Sequence, residues 1–204
     1  MASCTKRHSK KEINKLYEHV LNLYNQIRES DLKTIRKEWP DFQLEEVQVE
    51  LTDPKHSKLK WTPDGYEYLG RGNDRVVIGL CEEHVVKIDT AGGYQTDEEV
   101  WIWKNANDKL RKYLCPILEF SASKQLGDGT YLNKGPYWIV MPRCEQSTGA
   151  IDELPLSEIS EFFDVSFYNI GKKNGRFLLL DYGNLYRSEN LEKKFFKKEV
   201  SLLD

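Results

Sequence analysis

The sequence predicts an α+β fold with a mostly antiparallel sheet and an N-terminal helical extension. Three observations support this prediction. Apolar residues recur at spacings of three and four from Ser9 to about Trp39, which indicates one amphipathic helix. Short apolar runs separated by turn residues begin near residue 66, and one longer helical pattern interrupts them. A last pair of apolar runs, joined by Lys-Lys-Asn-Gly, is typical of a β-hairpin.

The N-terminal helix presents a single apolar stripe, which favours packing against the rest of the protein. The stripe consists of Ile13, Leu16, Val20, Leu23 and Ile27. A polar segment with two prolines follows at residues 52–65 and is typical of a domain boundary. We therefore expect a helical extension over residues 1–55 and a compact domain over residues 56–204.

The compact domain is predicted to alternate short strands with a few helices. The predicted strands are Tyr66–Leu69, Val76–Leu80, Val85–Ile88, Ile117–Ser121, Tyr137–Met141, and a hairpin around Tyr168–Ile170 and Phe177–Leu180. The predicted helices are Thr96 to about Tyr113, Pro155–Phe163, and Arg187 to about Val200.

Composition excludes several classes of protein. The chain has 204 residues, of which 39% are apolar and 31% charged, as in folded globular domains. No apolar run approaches the about 20 residues of a membrane span, and the net charge of -3 lacks the basic excess of a nucleic-acid binder. The first residues lack the apolar segment of a secretory signal. The four cysteines form no C-x-x-C pair, so we expect free thiols in a reducing cytoplasm and no zinc site.

A glycine-rich turn and a strand lysine form the first candidate site. Gly70 and Gly72 flank Arg71 and precede Asn73, in a turn between two apolar strands. Glycines allow backbone N–H groups to approach phosphate oxygens closely. Lys87 follows inside an apolar strand, where a lysine must either reach solvent or meet a negative partner.

Glu98 and Glu99 open the next predicted helix and offer such a partner for Lys87. Thr96 and Glu99 also match a capping box, in which Glu99 would bond to the start of its own helix. One side chain cannot fill both roles. The sequence therefore leaves open which glutamate pairs with the lysine.

Three further polar residues surround the predicted hairpin. Asn169 and Asp181 lie on its opposite arms and can face one pocket, while Asp164 lies five residues before Asn169. Oxygen ligands of this kind, completed by phosphate oxygens, suit Mg²⁺. Asp164 can orient a hydroxyl group or accept its proton. The alternative for Asp181 is the ordinary role of an aspartate in a turn that ends a strand.

The order of these motifs resembles the protein-kinase-like superfamily. Asp164 and Asn169 match its D-x-x-x-x-N spacing, and Asp181-Tyr182-Gly183 matches its DFG motif. The run YWIVMPRCE at 137–145 is similar to the strand that leads into the hinge, where backbone groups bind adenine. The resemblance covers about residues 66–186.

This resemblance implies ATP and Mg²⁺ as cofactors. Asp164 and Lys87 would be catalytic, and Asn169 and Asp181 would be the metal ligands. The residues implied in nucleotide binding are Gly70, Arg71, Gly72, Asn73, Lys87, Glu98, Glu99, Met141, Arg143 and Cys144.

The chain also departs from the pattern of typical kinases. Phe162-Phe163 replace the His-Arg that precedes the catalytic aspartate, and only 21 residues follow Gly183. The resemblance is therefore to a minimal kinase-like fold: an antiparallel N-lobe sheet with one helix, and a strongly truncated C-lobe. It is similar to the compact kinase-like proteins of phages, haloarchaeal viruses and bacterial effectors, and a viral or effector protein would act in the host-cell cytoplasm.

The function implied is an ATP- and Mg²⁺-dependent phosphotransferase, a minimal Ser/Thr protein kinase that acts on a host or partner protein. The alternative is a pseudokinase that serves as a protein-binding module. In that case the stripe from Ile13 to Ile27 would be its partner surface. The sequence does not indicate the phospho-acceptor.

Overall fold

The computed structural model describes residues 8–38, 62–63, 65–72, 74–122, 124–125, 131–132, 135–146, 167–183 and 194–196. Asn73, Asp164 and the predicted helix at residues 155–163 lie outside these residues. So do most of the predicted closing helix at residues 187–200 and most of the predicted domain boundary.

The described residues form an α+β fold whose largest sheet has five antiparallel strands, which confirms the predicted class. The helices are α1 (Lys10–Glu38), α2 (Tyr94–Asn105), α3 (Asp108–Arg111) and a 3-10 helix (Phe167–Asn169). The strands are β1 (Glu67–Arg71), β2 (Arg75–Gly79), β3 (His84–Asp89), β4 (Glu119–Ser121), β5 (Lys124–Gln125), β6 (Tyr131–Leu132), β7 (Trp138–Pro142), β8 (Glu145–Gln146), β9 (Ile170–Lys173) and β10 (Arg176–Leu179). Their orders are β1-β2-β3-β7-β4, β10-β9-β8 and β5-β6.

The two faces of the five-stranded sheet pack against different parts of the chain, because successive strand residues point to opposite sides. Val86 and Ile88 of β3 pack with Trp138 in one core. Val85 packs against the second core, which contains α2 and the β9–β10 hairpin. Lys87 shares the face of Val85. The sheet therefore separates a structural face from the face that carries the candidate site.

Helix α1 covers the structural face. Ser9 and Glu12 form a capping box at its start, with Ser9 N donating to Glu12 Oε2 at 2.8 Å. Trp138 Nε1 donates to Asn14 Oδ1 at 2.9 Å and ties the helix to β7. The helix residues buried against the sheet are Ile13, Leu16, Tyr17, Val20, Tyr24 and Ile27. The apolar stripe is thus an internal contact, and its interpretation as a partner surface is wrong.

Helix α2 begins two residues before Thr96, because a buried aspartate holds its first turn. Asp89 accepts hydrogen bonds from Gly93 N at 3.1 Å and from Thr96 N and Oγ1 at 3.3 and 3.2 Å. The N-cap is Gly93, with φ of 90°, where a Cβ would overlap the ring of Tyr137. The capping box predicted for Thr96 and Glu99 is therefore wrong.

The predicted hairpin is confirmed. Strands β9 and β10 pair antiparallel from Ile170↔Leu179 to Lys173↔Arg176. Asn174 and Gly175 have φ of 51° and 75°, as in the tight turns that suit twisted hairpins. The hairpin brings the start of β9 next to the end of β10, so that Leu180 N donates to the Asn169 carbonyl oxygen at 2.6 Å and Asn169 lies close to Asp181 in the chain fold.

The cysteines correct part of the sequence analysis. Cys115 and Cys144 are free thiols, as expected. Cys81 is disulfide-bonded, so the expectation of a free thiol is wrong for this residue. Disulfides are rare in a reducing cytoplasm, so this bond weakens the basis of the cytoplasmic expectation. None of the helices in the described ranges has the length and apolarity needed to cross a membrane.

Replacing Leu16 with alanine tests the packing of α1. Leu16 is 2% exposed within the core shared by α1 and the sheet. We expect the unfolding free energy to fall by about 2–5 kcal/mol, measured by urea denaturation. The matched control is Glu18→Ala on the exposed side, for which a change within about 0.5 kcal/mol is expected. Equal effects of both substitutions would contradict this packing.

Candidate active site

An open cavity of about 920 Å³ lies on the face of the sheet opposite α1. Its size is at the upper end for small-molecule sites and suits a ligand as large as a nucleotide. The cavity is lined by nine of the residues singled out from the sequence: Gly70, Arg71, Gly72, Lys87, Met141, Arg143, Cys144, Asn169 and Asp181. The glutamates Glu98 and Glu99 do not line it, and Asn73 and Asp164 lie outside the described residues.

The strand lysine meets a buried carboxylate. Lys87 Nζ lies 3.1 Å from Glu99 Oε1 and also donates to the Leu180 carbonyl oxygen at 2.5 Å. Lys87 is 7% exposed and Glu99 is 0% exposed. The structure thus selects Glu99, rather than Glu98, as the partner that the sequence left open. Leu180 immediately precedes Asp181, so the same lysine links α2 to the Asp-Tyr-Gly segment.

A second cation, which the sequence analysis did not single out, joins this pair. Arg75 is 4% exposed, and its Nη1 lies 3.1 Å from Glu99 Oε2, while its Nη2 contacts Asp181 Oδ1. Neither nitrogen has a hydrogen-bond partner with good geometry among the described residues, so both contacts act as ion pairs. A signal existed in the sequence, because strand alternation places Arg75 on the same face as Val77, which lines the cavity.

The two cations keep Asp181 ionised. Burial acts to raise the pKa of Asp181, but the charges of Lys87 and Arg75 outweigh it and hold that pKa well below its usual range. The side chain of Asp181 keeps 35% of its surface exposed and lines the cavity. Asp181 therefore lines the cavity as an ionised carboxylate that is paired with Arg75.

Glu99 is in a different electrostatic position. Burial raises its pKa, although Arg75 and Lys87 oppose the shift. Its Oε1 also accepts a hydrogen bond from Tyr182 N at 3.0 Å. Glu99 thus connects two cations with the backbone next to Asp181. It holds these groups in place and does not itself contact a ligand in the cavity.

The glycine turn contributes less than expected at one position. Gly72 N donates to the Arg75 carbonyl oxygen at 2.8 Å, so this N–H is used inside the turn in this structure. The register of β1 against β2 shifts between Tyr68 and Gly70, which bends the strand at the cavity mouth. Arg143 Nη1 lies 2.6 Å from Glu67 Oε2, and this ion pair joins β1 to the segment after β7.

The residues present fit a divalent cation only together with a ligand. No group of three or more His, Cys, Asp or Glu side chains in the described part of the chain could hold a metal ion. Mg²⁺ commonly takes one or two protein ligands and completes its shell with phosphate oxygens and water. Asn169 and Asp181 line the same cavity and carry the amide and carboxylate oxygens that could serve as these protein ligands. A cation at Asp181 would have to compete with Arg75.

Comparison with known proteins adds no relative. No protein-family model matches the chain, and no curated protein or solved structure matches it. Any assignment of function therefore depends on the cavity itself. The distinctive feature of that cavity is that Lys87 and Asp181 line it beside an apolar surface formed by Val77, Val85 and Met141. Behind the wall, Glu99 and Arg75 form ion pairs with these two charged groups.

Replacing Arg75 with methionine tests the balance of these charges. The variant removes the one guanidinium group that pairs with both Glu99 and Asp181. Breaking a buried ion pair in this way lowers the free energy of unfolding by about 3–5 kcal/mol at neutral pH. A carboxyl whose pKa is raised on folding loses stability as the pH rises above its unfolded value of about 4.3. Without Arg75 the pKa of Glu99 rises further. Asp181 also loses stabilisation that is present above about pH 3.9.

Both effects have the same sign, but the Asp181 effect is complete by about pH 4, so the change in stability above that pH comes from Glu99. We expect the difference in unfolding free energy between wild type and Arg75→Met to increase from about pH 4 to about pH 7. Arg75→Lys keeps the charge and is expected to show a smaller difference with a weaker pH trend. Chemical denaturation at several pH values measures both. A difference independent of pH would mean that Arg75 stabilises the fold by packing alone.

Proposed function

We propose that the chain is an ATP- and Mg²⁺-dependent phosphotransferase with a minimal protein-kinase-like fold, which transfers phosphate to Ser or Thr of a host or partner protein. One observation carries this proposal. Lys87, which is paired with the buried Glu99, lines one cavity together with Asp181, Asn169 and the glycine turn. A phosphate clamp and a pair of hard oxygen donors are thereby combined in one site.

Each group has a role in this proposal. Lys87 neutralises the charge of the nucleotide phosphates, and Glu99 keeps its ammonium group in position. Asn169 and Asp181 would hold Mg²⁺, which supplies further positive charge to the phosphates when bound. Asp164 would orient the acceptor hydroxyl, as the resemblance implies. Catalysis then depends on positioning and charge neutralisation, with no covalent intermediate on the protein.

The other end of the cavity suits a purine. Val77, Val85 and Met141 offer an apolar surface on the sheet. Arg143 and Cys144, which follow β7, line the same cavity and would supply the polar edge. Arg143 N already donates to the Glu83 carbonyl oxygen, and the Arg143 carbonyl oxygen accepts from Lys173 Nζ. The adenine contact would therefore come from Cys144 or from exchange of these bonds. An apolar surface with a few polar groups at its edge is the usual composition of a small-molecule site.

A second candidate function is a pseudokinase that binds a nucleotide or a partner without transferring phosphate. One observation favours it: Arg75 already neutralises Asp181, so a cation gains less from binding there than at an unpaired carboxylate. The two candidates differ in whether the phosphates and the metal displace Arg75.

Phosphate transfer tests the enzyme proposal directly. Wild-type protein is incubated with γ-labelled ATP and Mg²⁺, alone and with a cell lysate, beside Asp164→Ala and Asp181→Ala. We expect labelling by wild type and a loss of at least about 100-fold in each variant. Glu18→Ala, on the exposed side of α1, serves as the matched control and should retain full transfer. Transfer by both aspartate variants at the wild-type rate would contradict the assigned roles.

Nucleotide binding separates the enzyme from the pseudokinase. Asp181→Asn leaves Lys87 and Arg75 with one carboxylate, so ATP without metal is expected to bind several-fold more tightly than to wild type. Added Mg²⁺ should strengthen ATP binding to wild type and have no effect on the variant, as measured by titration calorimetry. If Mg²⁺ leaves the affinity of wild type unchanged, Asp181 is not a metal ligand and the pseudokinase is favoured.

A further inference from the structure

Two thiols meet in the wall of the cavity. Cys115 precedes β4 and Cys144 follows β7, and their Sγ atoms lie 3.8 Å apart. Both residues line the cavity, and both Sγ atoms lie near the Pro142 carbonyl oxygen, at 3.8 and 3.7 Å. A disulfide requires about 2.05 Å between sulfur atoms, so the pair has to close by less than about 2 Å.

The backbone around Cys115 is held firmly. Cys115 N donates to the Leu179 carbonyl oxygen at 2.9 Å, and Tyr182 Oη donates to the Cys115 carbonyl oxygen at 2.9 Å. Cys144 packs on β9, where a Cβ added to Gly171 would lie 2.6 Å from the Cβ of Cys144. Two chain segments far apart in sequence are thus fixed with their thiols facing each other.

The two thiols differ in exposure and acidity. Cys144 is partly exposed, whereas Cys115 is fully buried. The contact with Cys115 lowers the pKa of Cys144, burial opposes this effect, and the charge of Lys173 adds to it. The same contact, together with burial, raises the pKa of Cys115. Lys173 is kept nearby because its Nζ donates to the Arg143 carbonyl oxygen at 3.1 Å. Cys144 is therefore the more accessible and the more acidic of the two thiols.

We propose that Cys144 and Cys115 form an oxidant-sensitive modification site, in which hydrogen peroxide converts the two thiols into a disulfide in the cavity wall. The Cys144 thiolate attacks one peroxide oxygen; an S–O bond forms, the O–O bond breaks, and the leaving hydroxide takes up a proton as water. The Cys115 sulfur then attacks the Cys144 sulfur; the S–S bond forms, the S–O bond breaks, and a second water leaves with the Cys115 proton. The thiols lose two electrons, and the peroxide is reduced to two waters.

The thiol chemistry does not depend on the proposed kinase activity, because it requires only the cavity wall. The experiment is therefore performed without nucleotide. The full chain is treated with increasing equivalents of hydrogen peroxide, remaining thiols are blocked with N-ethylmaleimide, and the protein is digested with trypsin without reduction. Trypsin places Cys115 in the peptide 113–124 and Cys144 in the peptide 144–172. Mass spectrometry then detects a cross-link between these two peptides directly.

We expect the linked peptide to be the main product at about one equivalent of peroxide, as the balance of the reaction requires. In Cys115→Ser, a sulfenic acid at Cys144 should accumulate and be trapped by dimedone. In Cys144→Ser, the oxidation of Cys115 should be at least tenfold slower than the oxidation of the pair in wild type. Serine differs from cysteine by one atom, and a thermal melt of each variant checks that it folds.

Two results would overturn the proposal. One is wild-type protein in which Cys144 remains a thiol or proceeds to sulfinic acid with no linked peptide. The other is a Cys115 that is oxidised as fast in Cys144→Ser as the pair is in wild type. The wild-type result decides the matter even if a serine variant fails to fold.

Discussion

The burial of one carboxylate determines how the parts of this site meet. Glu99 has no exposed surface, and removing an ionised carboxylate from water costs several kcal/mol unless charged and polar groups compensate. Lys87 from β3, Arg75 from β2 and the backbone N–H of Tyr182 supply that compensation. Helix α2, the large sheet and the chain beyond β10 therefore have to converge on one point. Asp181 is placed beside that point because it directly precedes Tyr182.

Close packing reinforces this convergence. A Cβ at Gly183 would lie 2.8 Å from the Gln95 carbonyl oxygen, so only glycine lets the chain pass the first turns of α2. Asp89, the last residue of β3, holds the start of α2 in place by accepting hydrogen bonds from its backbone. The Asp-Tyr-Gly segment thus satisfies two demands at once. Its glycine allows close packing against α2, and its aspartate provides a charged group in the cavity.

The sequence predicts those features that depend on local pattern. Alternating strands and the hairpin turn follow from neighbouring residues, and the structure confirms them. For Lys87 the sequence left solvent and an acidic partner open, and the structure shows the acidic partner. Arg75 was missed because an arginine next to a glycine turn is typical of a solvated surface. Its burial depends on the packing of α2 against the sheet, which the neighbouring residues do not reveal. The capping box at Thr96 failed for a related reason, since Asp89, seven residues earlier, binds the threonine instead. Non-local contacts outweighed a correct local rule in both cases.

The position of α1 also has a consequence for folding during translation. Helix α1 is synthesised before β7, and its contact with that strand joins Asn14 to Trp138, 124 residues later. At typical bacterial and eukaryotic synthesis rates, the ribosome needs roughly 6 to 25 s to cover that distance. During this interval the apolar stripe of α1 cannot pack against the sheet, because the sheet is incomplete. The growing chain therefore exposes an unpaired apolar stripe for several seconds, and such a surface is prone to aggregation until β7 is complete.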